Sequence, residues 1–378
     1  MTQMISRTRT VPVERSSGTS LAHEGRSSAD TTVQKTAAPD AAAASHIMGL
    51  SYAFWKSKAL LTAVELDLFT VLAEGPLDAQ GLARRLQLNE RGARDFFDAL
   101  VALELLHRRD GRYTNRPETA PYLDRHQPTY LGNLLQHLNQ RHYQNWGLLT
   151  QALRTGMPQS GTLATGYSAL YAETGTQEIF LNGMSAGSLL SAKALAERFP
   201  WGEYNSIVDI GTAQGCVPVE IARMHTHLVG GGFDLPSIEP AFASYVRKAG
   251  LSDRLRFYAG NFLTDPLPEA DVLVMGRILH NWDVATRKLL LEKAYRALPD
   301  GGAVIVYDPL IDDARSADSH GLLSSLNMLI ETKGGSEYTG AECVAWLQQA
   351  GFREMRIEPL ADVHSAVIGF KRGREAPR

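Results

Sequence analysis

Between residues 206 and 307, short and nearly uninterrupted apolar runs alternate with stretches of helical spacing. The runs are 207–210, 228–233, 255–258, 272–275 and 303–307. A strand buried on both faces reads as a continuous apolar run, so the alternation predicts a parallel sheet covered by helices. The first run leads into Gly211-Thr212-Ala213-Gln214-Gly215, where glycines let the backbone turn tightly and approach a ligand. Asp234 closes the second run, where a carboxylate can accept the hydroxyl hydrogens of a ribose. His280, in Leu279-His280-Asn281-Trp282-Asp283, follows the fourth. This order fits a nucleoside-binding α/β sheet with a general base beside the ligand. Segments 352–357 and 366–370 are expected to close the sheet as an antiparallel pair. That closure, and a glycine turn without dinucleotide spacing, argue against an NAD-binding Rossmann oxidoreductase.

The chain of 378 residues can hold two domains, and 44% hydrophobic content supports a sizeable core. A net charge of −3 provides no global attraction to nucleic acid or anionic membranes. Two cysteines, Cys216 and Cys343, provide neither a disulfide framework nor a thiolate zinc site, and fit a reducing cytoplasm. No apolar run reaches the roughly 20 residues that span a bilayer. Residues 1–45, rich in Ser, Thr, Ala and Arg, lack the apolar centre of a secretory signal and read as a disordered tail. A transit peptide is the weaker alternative.

Order is expected from Ile47. Helical spacing runs from Ala53 through Val64, Leu66, Leu68 and Phe69. Asp78 and Asn89 are placed to cap the next two helices, and 106–113 reads as a hairpin around Asp110-Gly111. Helices followed by such a hairpin form a winged helix. Its second helix mixes Glu90, Arg91, Arg94, Asp95 and Asp98, a poor match to a phosphate backbone. The apolar module is therefore expected to pair with its own copy, with a DNA-binding regulator as the rival reading.

At this point the chain resembles the small-molecule O-methyltransferases that use S-adenosylmethionine (SAM), including plant caffeate-type enzymes and bacterial enzymes of antibiotic biosynthesis. The resemblance covers roughly residues 47–370. It rests on Asp209-Ile210-Gly211-Thr212-Ala213-Gln214-Gly215, Gly260-Asn261-Phe262, the His280 segment, Gly334-Gly335-Ser336-Glu337-Tyr338-Thr339 and Phe180-Leu181-Asn182-Gly183-Met184-Ser185. It implies a Rossmann-like methyltransferase domain at 201–378 and a mainly helical, winged-helix dimerisation domain at 46–120. A helical connector at 121–200 would line the substrate pocket. SAM is the implied cofactor, and a homodimer acting on a small aromatic acceptor the implied enzyme, with no metal, nucleic acid or membrane.

By position, the resemblance assigns the cofactor to Asp209, Gly211, Gly215, Asp234, Leu235, Gly260, Asn261, Phe262 and Arg277. His280 becomes the general base and Glu337 the acid that orients it. Asp308 stands where plant relatives carry a second acid, but its shorter side chain reaches less far. Met184 and Met328 would clamp an aromatic ring, with Asn327 beside them; otherwise such methionines are core filler. His142 and Trp146 either line the pocket or pack the connector. The chain departs from the family at Thr212-Ala213, which replace two glycines, and at Asn261, which replaces an aspartate. His225 and His227 lack a third ligand and read as solvent-exposed. A phenolic hydroxyl is the expected acceptor. C- or N-methylation of a similar ring, or SAM binding without turnover, are the alternatives.

Overall fold

The computed structural model describes residues 40–160, 176–361 and 363–372. Residues 1–39 of the expected tail lie outside them. An isolated helix, Ala41–Ser51, begins before Ile47, as its alanine-rich start allows. None of its residues is buried, and Ile47 and Leu50 are each 64% exposed.

From Tyr52 the rest of the chain forms its own compact unit. The helical run expected to continue through Leu68 is broken. Asp67 takes a left-handed conformation (φ 55°) between helices Ala53–Glu65 and Leu68–Ala73, and its carboxylate pairs with Arg125. Apolar spacing stays in phase across the break, so periodicity could not reveal it. Strand β1 (Leu77–Asp78) precedes helices Ala79–Arg85 and Glu90–Ala102, then come β2 (Leu106–Arg109) and β3 (Arg112–Asn115). Asp78 accepts from Gly81 N at 2.7 Å and Asn89 from Arg91 N at 2.9 Å, so both caps form. The strands pair β1-β3-β2 into a wing over a core that includes Phe69, Leu82, Phe97, Leu100 and Tyr113. Asp98 turns onto the wing: it pairs with Arg108 and accepts from Tyr113 Oη at 2.7 Å.

The connector is helical, with one turn of π-helix at Leu138–His142. It continues, beyond residues that are not described, in the Thr176–Arg198 helix. The sheet follows as β4 (Ser206–Ile210), β5 (Val229–Asp234), β6 (Leu255–Ala259), β7 (Val272–Gly276), β8 (Ala303–Asp308), β9 (Glu354–Pro359) and β10 (Ser365–Phe370). Their order is β6-β5-β4-β7-β8-β10-β9, parallel except that β10 runs antiparallel to β8 and β9. Alternate residues feed two cores, Val208, Leu273 and Val304 on one face and Ile207, Val272 and Ile305 on the other. The strand order reverses between β4 and β7, which opens a crevice beyond their carboxyl ends. No helix among the described residues is long and apolar enough to cross a membrane.

Candidate active site

A cavity of about 580 Å³ occupies that crevice. Its wall includes Asp209, Gly211, Asp234, Leu235, Gly260, Asn261, Phe262 and Arg277, together with His142, Trp146, Met184, Asn327, Met328 and His280. Gly215, Asp308 and Glu337 stand outside that lining. Gly215 (φ +93°) begins the Cys216–Met224 helix, and the two acids support His280 from behind.

At one end, Asp234 is 6% exposed and its carboxylate is held by two backbone amides, Ala213 at 2.9 Å and Leu235 at 2.7 Å. Burial raises its pKa to about 6 against those hydrogen bonds, and burial raises Asp209 to about 7. Gly211 (φ +72°) has no space for a side chain, since a Cβ would lie 2.3 Å from Ile278 Cδ1. Thr212 fills the space left by Gly232, and its buried Oγ1 has no partner among the described residues. Asn261 Oδ1 accepts from Leu263 N at 3.0 Å, so one of its lone pairs maintains the turn. Phe262 meets Trp282 edge-to-face at 5.8 Å.

His280 is 5% exposed on the wall. Its Nδ1 lies 2.8 Å from Glu337 Oε1 and 3.6 Å from Asp308 Oδ1, so the glutamate makes the hydrogen bond and the shorter aspartate does not. With Nδ1 donating to Glu337, Nε2 is the basic nitrogen. Glu337 Oε1 also accepts from Ser324 Oγ at 2.7 Å, and Asp308 Oδ2 accepts from Tyr338 Oη. Burial alone would depress the His280 pKa. The Glu337 and Asp308 carboxylates outweigh it and hold the imidazole above its ordinary 6.5. Burial raises Asp308 to about 6, opposed by His280. The three side chains also form a donor set of metal-binding size, within 4.8 Å of one another, but the hydrogen bonds to His280 and Tyr338 already use part of it.

Two backbone segments hold this triad in register. Ser336 N donates to His280 O at 2.9 Å. Gly335 makes the approach possible, because a Cβ there would sit 2.5 Å from the same carbonyl oxygen. Arg287 fastens both sides: Nε donates to Leu279 O at 3.0 Å and Nη2 to Ser336 Oγ at 2.9 Å. Its guanidinium lies 4.9 Å over the Tyr338 ring.

Trp146 Nε1 donates to Asn327 Oδ1 at 2.9 Å, linking two of the expected pocket residues. The wall also includes His137, Arg141, His320, Glu331 and His364, none of which the sequence analysis singled out. Burial depresses His137 and His364 to about 3 and His142 to about 4, so these rings are neutral. His225 and His227 lie elsewhere and bond to backbone carbonyls; His227 is exposed and His225 half-buried.

An O-methyltransferase dimerisation domain matches residues 48–125, and an O-methyltransferase domain matches 146–353, which takes in part of the connector. The chain is 43% identical to the tetracenomycin polyketide synthesis 8-O-methyl transferase TcmO of Streptomyces glaucescens, over 86% of this chain and 96% of that one. It is 40% identical to the N,N-dimethyltransferase OxyT of Streptomyces rimosus, over 84% and 93%. Human N-acetylserotonin methyltransferase, solved in complex with SAM, superposes with a TM-score of 0.80 at 27% identity, covering 89% of this chain and 99% of that one.

Proposed function

The chain belongs to the O-methyltransferase family, a SAM-dependent transferase acting on a small molecule, and from that premise we propose that its acceptor is a phenolic hydroxyl of an aromatic intermediate in antibiotic-type secondary metabolism. The observation that carries this reading is the buried His280–Glu337 pair at 2.8 Å on the cavity wall. Asp209, Gly211, Asp234, Leu235, Gly260, Asn261, Phe262 and Arg277 would hold SAM, and Gly215 would shape the turn beneath it. The fit rests on the amide-held Asp234 carboxylate and on a Gly211 backbone without room for a side chain. When bound, SAM supplies a sulfonium methyl that requires an acceptor oxygen in line and relieved of its proton.

His280 Nε2 takes that proton. A phenol near pKa 10 facing an imidazole near 6.5 costs about 5 kcal/mol for complete transfer. Glu337 narrows the gap by stabilising the imidazolium. An aliphatic alcohol would widen it, which favours phenolic oxygen. Met184 and Met328 would hold the ring. Wild-type enzyme incubated with SAM and paired phenol and aniline acceptors tests the assignment, with mass spectrometry and NMR locating the methyl. Exclusive transfer to nitrogen or carbon would refute it. Nitrogen is the second reading because OxyT, 40% identical, is an N,N-dimethyltransferase.

Asp234→Ala should weaken SAM binding by about 1.5–3 kcal/mol, the scale of a charge-assisted hydrogen bond. Unchanged affinity by calorimetry would remove Asp234 from the site. The dimerisation domain pairs two copies in this reading. Phe54 and Trp55, 53% and 58% exposed at the start of the Ala53–Glu65 helix, supply an apolar surface for a second copy. Light scattering at micromolar concentration should give the mass of a dimer, and monomer alone would count against it. Both cysteines are free and buried, which suits the cytoplasm in which we place the enzyme.

A further inference from the structure

The Ser319–Glu331 helix lays a row of polar side chains along the cavity. Ser324, Asn327 and Glu331 follow at spacings of three and four and share one face. Ser324 touches Glu337 beside the base, Asn327 accepts from Trp146, and Glu331 ends the row. Seven residues separate Ser324 from Glu331, a rise of about 10 Å. At that far end Glu331 accepts from Arg141 Nε at 2.7 Å and from Asn145 Nδ2 at 2.9 Å.

Proton removal does not use this pair. Its side chains are only 13% and 2% exposed, and a well-packed apolar pair would hold the fold as well or better. Arg141 also sits on the π-helical turn, a local irregularity found mostly where function requires it. Both residues line the cavity. Arg141 Nε is bound to Glu331 and Nη2 to Ser160, while Nη1 has no hydrogen bond among the described residues.

We infer that Arg141 and Glu331 form a recognition subsite for the end of the acceptor remote from the methylated hydroxyl. Resting on the phenol reading above, this assigns the acceptor class: a fused polycyclic phenol with a neutral hydroxy-carbonyl at its far end. The carbonyl oxygen accepts from Arg141 Nη1, and the neighbouring hydroxyl donates to Glu331. Glu331 already balances the guanidinium charge, so a carboxylate at this end would meet repulsion. An acceptor held at His280 must extend along the row from Ser324, a rise of about 10 Å, to reach the subsite.

Two three-ring probes separate length from recognition. Emodin has a phenol on one outer ring and a hydroxyl beside the quinone carbonyl on the other. Hydroxyanthracene has the same length with no far-end oxygens. Their dissociation constants are measured by calorimetry with S-adenosylhomocysteine present, for wild type and for Arg141→Met combined with Glu331→Leu. The double variant should bind emodin about tenfold more weakly, the worth of a hydrogen bond to a charged group. It should bind hydroxyanthracene and S-adenosylhomocysteine like wild type. Equal losses for both polycycles, or none, would overturn the subsite. If the double variant does not melt cooperatively, Glu331→Gln is read in the same way, since it keeps the shape and Arg141. Methyl transfer by wild type is scored separately. Emodin discrimination without any O-methylated product would refute the phenol reading and leave the subsite standing.

Discussion

Replacing His280 by alanine should lower turnover about 10²–10⁴-fold, the usual worth of a positioned general base. Fold and SAM affinity should persist, because the imidazole is bound to Glu337 and not to the Asp234 end of the cavity. The pH dependence carries the sign of the assignment. The base accepts a proton only when neutral, and Glu337 and Asp308 hold its pKa above 6.5. Activity should therefore rise with pH through a limb on the alkaline side of a free imidazole. Glu337→Gln removes the carboxylate that contributes most to this elevation. Its limb should move towards acid pH, with a smaller loss of rate than in His280→Ala. More acidic phenols should partly rescue His280→Ala, since they need less help to ionise. Near-wild-type turnover by His280→Ala at neutral pH, with no lost limb, would falsify the base assignment and leave positioning as the source of rate.

Arg287→Met should destabilise the protein by about 3–5 kcal/mol, the cost of breaking a buried charged network. Arg287 is 1% exposed, and its hydrogen bonds join Leu279, next to His280, to Ser336, next to Glu337. Its loss strands Leu279 O and Ser336 Oγ and removes the cation from the Tyr338 ring. Arg287→Lys should recover little, because a point ammonium cannot reproduce a planar fork of donors. Urea unfolding measures the loss. A change below roughly 1 kcal/mol would show that the two segments hold their register without it. Surviving Arg287→Met protein should also lose turnover, because Glu337 is no longer fixed against His280.

The central strands β4, β7 and β8 were legible because burial on both faces demands continuous apolar runs. The edge strands β6 and β9 are partly exposed, and the expected 352–357 segment pairs as Glu354–Pro359. The expected strand 303–307 is extended to Asp308, and 228–233 is shifted by one residue to Val229–Asp234. The Asp78 and Asn89 caps were equally readable, since each acts within a few residues of itself. Arg287 carries a signal in its spacing: it shares the core face of the Val284–Ala297 helix with Leu290, Leu291 and Ala294. The break at Asp67 had no comparable pattern, because apolar spacing continues across it. The π-helical turn at Leu138–His142 falls on the polar run Asn139-Gln140-Arg141-His142, which carries no apolar period to read.

By itself, then, the sequence determined what local chemistry and periodicity determine: the order of strands, the glycine turn, Asp234 at a strand end and a histidine after β7. The partners of that histidine lie far along the chain. Glu337 is 57 residues from His280, and Arg141 is 190 from Glu331. The resemblance already assigned Glu337 to His280 and gave the shorter Asp308 less reach. The tertiary structure set the distances, 2.8 Å against 3.6 Å, through two loops pinned by Arg287 and Gly335. Only the tertiary structure decided that an ion pair lies on the cavity wall and that three of its histidines stay neutral. Charge and hydrogen-bond geometry fall off within a few ångströms, so they follow distance in space, which residue spacing along the chain does not encode.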